Sequence, residues 1–180
     1  VDEARGKQSL VIDLYGGPGT GKSTTAAGLY ALLKQNGVNA ELATEYAKDI
    51  VWEGRNYLLS DQLYIFAKQN RKLCRLYGKV DVIVTDSPLL LCYYYSGNEH
   101  ILALILEEMK RARHLHVMLR RQKAYNPSGR MQTESQAKEI DAAITAMLGR
   151  LHVPHIEETA DSEAASRLLP TVSAALAGVS

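Results

Sequence analysis

Residues 16–24 read Gly-Gly-Pro-Gly-Thr-Gly-Lys-Ser-Thr and follow directly on the apolar run Leu10-Val11-Ile12-Asp13-Leu14-Tyr15. The spacing Gly16-x-x-x-x-Gly21-Lys22-Ser23 is that of a phosphate-binding loop, or P-loop. Nothing else in the chain restricts its fold as strongly. Glycines here let the backbone take dihedrals closed to other residues, so that successive N–H groups converge on one anion. A helix starting near Lys22 adds unpaired N–H groups and the positive end of its dipole. Such a loop needs a strand before it and a helix after it, and both signals are present. Gly16, Gly17, Pro18, Gly19, Thr20, Gly21, Lys22, Ser23 and Thr24 are therefore expected to cradle the phosphates of ATP. Lys22 should reach the β- and γ-phosphates, and the Ser23 hydroxyl should bind Mg²⁺.

Strand and helix signals alternate along the rest of the chain. Strands are expected over 10–15, 38–44, 80–85, 114–120 and 153–158. Helices are expected over 22–36, 58–77, 99–112, 133–151 and 161–177. Gly37 and Gly78 stand where left-handed helix ends belong. On the 58–77 helix, Leu59, Leu63, Phe66, Leu73 and Tyr77 are expected to share a buried face. Thr133 with Gln136 has the spacing of a capping box. Parallel neighbours need crossover connections, so the alternation implies an α/β three-layer fold, with a five-stranded parallel sheet covered on both faces. The 180 residues suit one domain, 1–180. Val1 in place of Met points to a trimmed start, and residues 1–7 are set aside.

Two positions beyond the loop carry candidate chemistry. "VDVIVTDS" ends a buried strand in Asp86, the pattern of a carboxylate that completes a Mg²⁺ site with Ser23. Asp86 could instead cap a helix that begins near Pro88. After the second strand comes Glu45, which can position an acceptor hydroxyl and take its proton, or can cap a helix beginning near Tyr46. Asp49, one turn on, is a further candidate. The segment 120–132, with Arg120, Arg121 and Arg130 and the turn "YNPSG", lies between strand four and a capped helix and reads as a lid. Arginine forks suit phosphate oxygens, so Arg121 and Arg130 are candidates to stabilise transferred charge, against the alternative of a solvated basic loop.

"GGPGTGKST", "TEYAKD", "VTDSP" and "YNPSGRMQTESQAKEID" together resemble the small P-loop nucleoside and nucleotide kinases. The likeness is to kinases encoded by bacteriophages, including those thought to act on 5-hydroxymethyluracil in DNA, and to the ribosylnicotinamide kinase domain. It spans most of 8–160. The resemblance implies ATP as donor, a hydroxyl as acceptor, Glu45 as the acidic residue beside the acceptor, and "ETAD" (158–161) beside the adenine.

Net charge is +1, which singles out no partner, but Lys110 to Arg130 holds seven Lys or Arg and no acid. That segment would suit a DNA backbone as well as a lid. Trp52, Tyr57 and Tyr93–Tyr95 could stack on a base, and Gln62 and Gln69 could read its edge; core packing or exposure explains them equally. His114 and His116 alternate on a strand with no carboxylate near them in sequence, so no metal site is expected there. Cys74 and Cys92 lie in apolar stretches, which suits a reduced, cytoplasmic protein (host cytoplasm if phage-encoded). No apolar run approaches membrane-spanning length. No Asn-Lys-x-Asp guanine signature occurs, and the chain has no room for the second helical subdomain of most AAA-type ATPases. The expectation is a Mg²⁺-dependent kinase with a nucleoside-like acceptor, free or a modified base in phage DNA. A nucleotide-hydrolysing switch with a protein partner is the alternative.

Overall fold

The computed structural model describes residues 8–122 and 133–178. In chain order the elements are β1 (Leu10–Tyr15), α1 (Lys22–Gln35), β2 (Ala40–Ala43), α2 (Tyr46–Trp52), α3 (Gln62–Cys74), β3 (Val82–Thr85), α4 (Leu90–Ser96), α5 (Glu99–Met109), β4 (Arg113–Arg120), α6 (Glu134–Arg150), β5 (His155–Thr159) and α7 (Ala164–Leu176). A single 3₁₀ turn, Asn56–Ser60, precedes α3. The strands form one parallel sheet in the order β2-β3-β1-β4-β5. Helices cover both faces, which gives the expected α/β three-layer P-loop NTPase fold.

β1 is the central strand and is buried along its whole length. A strand covered on both faces reads as a continuous apolar run. Its even-numbered side chains (Leu10, Ile12, Leu14) pack with Leu29 and Leu33 of α1 and Leu168 and Val172 of α7. Its odd-numbered neighbours Val11 and Tyr15 face Ile83, Ile105, Ile144 and Leu148 on the other side. The chain turns one way from β1 to β2 and the other way from β3 to β4. The crevice between β1 and β3 is therefore the place where parallel sheets of this kind take ligands, outside the carboxyl ends of the strands.

Local signals account for most boundaries. Gly37 and Gly78 have φ of 75° and 71°, the left-handed conformation their positions called for. Thr133 and Gln136 form both halves of the capping box at the start of α6. The expected 58–77 helix is shorter. The Asp61 side chain accepts from Tyr64 N and so starts α3 at Gln62, and Cys74 ends it. Leu63, in the first turn of α3, is 54% exposed, against the expectation of a buried face. The helix α4 was not expected: a short apolar run such as "LLCYYYS" carries no period that separates helix from strand. The 120–132 lid lies outside the described residues apart from Arg120, Arg121 and Gln122; Pro127, Gly129 and Arg130 are among those not described. No helix of the described residues is long and apolar enough to cross a membrane.

Candidate functional site

The loop after β1 owes its shape to its glycines. Gly16, Gly19 and Gly21 have φ of 145°, 74° and 115°, and a Cβ on Gly16 would lie 2.9 Å from the Thr20 side chain. Lys22 opens α1 and folds back over the loop. Its Nζ donates to Gly16 O at 2.6 Å and to Gly17 O at 3.1 Å. Burial lowers the Lys22 pKa, while Glu45, Asp86 and Asp141 oppose that by holding the ammonium charged. Ser23 and Thr24 lie exposed at the first turn of the helix.

Asp86 leaves the end of β3 fully buried. Its Oδ1 accepts from Glu45 N at 2.9 Å, which ties the end of β3 to the end of β2. Nothing links the Asp86 side chain to the start of α4, whose cap position is Leu89 and carries no side-chain cap. Glu45 stands at the cap position of α2, yet its side chain makes no capping bond. Its carboxyl is pushed up by burial first and by Asp86, with Lys22 pulling the other way. Lys22, Glu45 and Asp86 thus come together at the crevice between β1 and β3. Asp49 points elsewhere, bonding Lys72 Nζ at 3.1 Å.

The two residues expected from sequence to hold the metal, Ser23 and Asp86, offer a hydroxyl and a carboxylate. That donor set suits a hard cation such as Mg²⁺.

The arginines divide. Arg120 is exposed and pairs with Glu157 at 3.5 Å. Arg121, whose side chain is 8% exposed, donates from Nε to Asp141 Oδ2 at 3.0 Å and from Nη2 to Pro18 O at 2.9 Å and Thr20 Oγ1 at 3.1 Å. Arg130 lies outside the described residues. Asp141 reaches the loop too: its Oδ1 accepts from Gly17 N at 2.5 Å and from Thr20 Oγ1 at 3.2 Å. Sequence reasoning missed Asp141, and only a capped helix returning over the loop could have hinted at it.

The basic stretch is not one surface. Lys110 and Arg111 pair with Glu107 and Glu108 one turn earlier on α5. Arg113 donates to Ala175 O. Arg120 and Arg121 stand at the far end of β4, roughly 23 Å from Arg113 at the usual rise per residue. Each described base in the stretch is matched by an acid or a carbonyl from elsewhere.

The aromatic candidates differ as well. Tyr93 is buried and donates to Glu99 Oε1 at 2.7 Å. Tyr94 and Tyr95 stack edge to face. Trp52 and Tyr57 are about three-quarters exposed, at 76% and 74%. Gln62 bonds Leu59 O. Gln69 is buried and accepts from Tyr46 N at 2.9 Å, which fixes the start of α2.

The two histidines have the carboxylate that their sequence neighbourhood lacks. Asp13, opposite His116 in the sheet, accepts from His114 Nδ1 at 2.7 Å and lies 3.2 Å from His116 Nδ1. Their possible ligand atoms lie within 4.8 Å of one another. His114 Nε2 faces Met109 O at 3.1 Å, so both of its ring nitrogens meet acceptors and both must carry protons. Tyr15 Oη is 3.2 Å from His116 Nδ1. The cluster lies on the face of the sheet away from α1, and three strand residues before the loop.

No curated protein matches the chain. Among solved structures it is similar to that of APE1195, at 20% identity and a TM-score of 0.50, over 96% of this chain and 97% of that one. It is also similar to a mutant of the Mycobacterium tuberculosis APS kinase CysC, at 16% identity and a TM-score of 0.43, over 79% of this chain and 99% of that one. The first of these is a likeness of fold. The model of the AAA domain matches residues 11–165. The match runs from β1 to the start of α7. With that match over most of its length, the chain belongs to the AAA domain family.

Proposed function

We propose that this protein is a Mg²⁺-dependent kinase that moves the γ-phosphoryl group of ATP to a hydroxyl of a nucleoside-like acceptor. The observation that carries the reading is Glu45. Its backbone N–H is fastened to Asp86, its carboxyl is raised by burial beside Lys22, and its side chain leaves the helix it precedes uncapped. A carboxyl held this way beside the loop lysine can orient a nucleophile toward the γ-phosphate, and the resemblance to the small P-loop kinases favours an acceptor hydroxyl over water in that place. Such placement matters because phosphoryl transfer through a loose transition state is chiefly a matter of positioning.

In this reading the acceptor oxygen attacks the γ-phosphorus as the bond to the ADP oxygen breaks, and Glu45 takes the hydroxyl proton. A carboxyl with a raised pKa is the better base near neutral pH. Lys22 turns from the carbonyls of Gly16 and Gly17 to the phosphate oxygens. Ser23 and Asp86 would hold Mg²⁺, which when bound neutralises charge on the β- and γ-phosphates. Gly16, Gly17, Pro18, Gly19, Thr20, Gly21 and Thr24 frame the phosphates through the loop and the first turn of α1. Arg130 is proposed to add positive charge from the lid.

A free nucleoside or nucleotide is favoured over a base in DNA, because the described bases of 110–121 are paired and spread over both ends of β4. Membership in the AAA domain family favours the second reading, a nucleotide-hydrolysing switch. Transfer from γ-labelled ATP with Mg²⁺ separates them, using a panel of nucleosides and nucleotides beside duplex DNA with and without 5-hydroxymethyluracil. Label should move to a small acceptor. Glu45→Gln should cut that transfer by roughly 100-fold or more while ATP still binds. Label retained on the modified DNA would overturn the preference for a free acceptor. Inorganic phosphate as sole product, with Glu45→Gln without effect, would replace the kinase by the switch.

A further inference from the structure

The contacts of Asp141 and Arg121 belong to no part of the proposed reaction. Asp141 sits on α6, the helix that follows the lid, and Arg121 ends the chain's approach to the lid from β4. Both reach back to one stretch of backbone, Gly17 to Thr20. Asp141 accepts from Gly17 N and Thr20 Oγ1, while Arg121 donates to Pro18 O and Thr20 Oγ1 and is joined to Asp141 through Nε. The packing is close. A Cβ on Gly17 would lie 2.7 Å from Ala137 O and 2.8 Å from Asp141 Oδ1. Thr20 is fully buried beneath the pair and also bonds Gly17 O at 2.6 Å.

We infer that Asp141 and Arg121 are positioning residues, a clasp that holds the outer side of the P-loop in its phosphate-ready shape. The inference rests on the reading that the loop binds nucleotide phosphate. Electrostatics favours a clasp over a phosphate contact. The carboxylate stands near the loop lysine, where an unbalanced anion would repel phosphate, and Arg121 balances it at 3.0 Å. If Arg121 swung inward to a phosphate it would leave that anion behind, partly buried and unpaired. Holding the loop from outside costs the ligand nothing, and a loop ordered in advance loses less freedom on binding. Arg121 thus acts on how well ATP is held, and not on the transferred group.

Two measurements test this. The first is amide hydrogen exchange of the ligand-free protein. Asp141→Asn should speed exchange at Gly17 about tenfold, while Thr133→Ala, on the same helix and away from the loop, should not. Unchanged exchange at Gly17 would overturn the clasp whether or not the protein binds nucleotide. The second is affinity for a fluorescent ATP analogue together with steady-state transfer. Asp141→Asn and Arg121→Gln should each weaken binding about tenfold, and the double variant no more than the weaker single one. At saturating ATP, kcat and the acceptor KM should stay within twofold of wild type. An Arg121→Gln variant with unchanged affinity and kcat down 100-fold would make Arg121 a residue of the transferred phosphoryl group instead. Should the wild type fail to bind the analogue, the nucleotide reading falls and the exchange result alone judges the clasp. If Asp141→Asn does not fold, Arg121→Lys, which keeps the charge and loses the fork, carries both measurements with smaller changes of the same sign.

Discussion

Replacing Asp13 by Asn should destabilise the fold in a way that depends on pH. Burial by itself would raise the Asp13 pKa, but the charge of His114 and hydrogen bonds from both histidines outweigh it and hold the carboxyl at about 2, against 3.8 for an ordinary aspartate. At about 1.4 kcal/mol per unit, that difference contributes about 2 kcal/mol of stability above pH 4. Removing one partner of a buried pair also strands the other, and such losses run to about 3–5 kcal/mol. About 3 kcal/mol is a fair expectation, and for a chain of this size it lowers Tm by roughly 9 °C. The signs of the two shifts set the window. Asp13 is depressed, so its contribution is present above about pH 4 and lost as pH falls through about 2. Burial lowers the His114 pKa, but Asp13 and the Met109 carbonyl raise it further, so the net shift is upward. Its contribution is complete below about pH 6.5 and lost as pH rises through the raised value. Tyr15 and Tyr77 adjoin the carboxylate, but burial and then Asp13 push both upward, so neither titrates between pH 5 and 9. Thermal unfolding of wild type and Asp13→Asn at pH 5.5 and pH 9 therefore decides the matter. The gap in Tm should be large at pH 5.5 and clearly smaller at pH 9. An equal gap at both would refute the imidazolium–carboxylate pair.

Gly17→Ala places a methyl against Ala137 O and the Asp141 carboxylate, of which the former is backbone and cannot yield cheaply. Overpacking of this kind costs about 2 kcal/mol, so Tm should fall by roughly 6 °C, and a value within 1 °C of wild type would show that α6 moves aside. Thr133→Ala removes one half of the capping box and should cost about 1 kcal/mol by chemical denaturation, whereas Thr133→Ser should stay near wild type.

How far the sequence could be read differed from place to place for physical reasons. The P-loop glycines, the capping box and the buried β1 and β3 runs are local patterns, each written within about eight residues, and the structure has them where the patterns lie. Element ends were less legible. Whether α3 begins at Leu58 or Gln62 turns on one aspartate competing as a cap. Short apolar runs such as 90–96 have no length over which a period can declare itself. Contacts made across the sheet were not legible at all. Asp13 meets His114 and His116 because β1 and β4 are neighbours, and Asp141 meets Gly17 because α6 returns over the loop. The acid-free look of 110–130 misled in the same way, since its partners on β5 and α6 lie outside that window, and those on α5 fall just before it.

The central place of β1 has a consequence for the nascent chain. Leu10 pairs with Val82 on one side and Arg113 on the other, so the strand made first waits for roughly 100 further residues before both neighbours exist. At about 5–20 residues per second that is a wait of roughly 5–20 seconds. Meanwhile "LVIDLY" is a run of β-prone apolar residues with an open edge on each side, the kind of segment that recruits other chains. Its one charge is Asp13, in the middle. Before it has any histidine to bind, that carboxylate already keeps the waiting strand in water and out of aggregates.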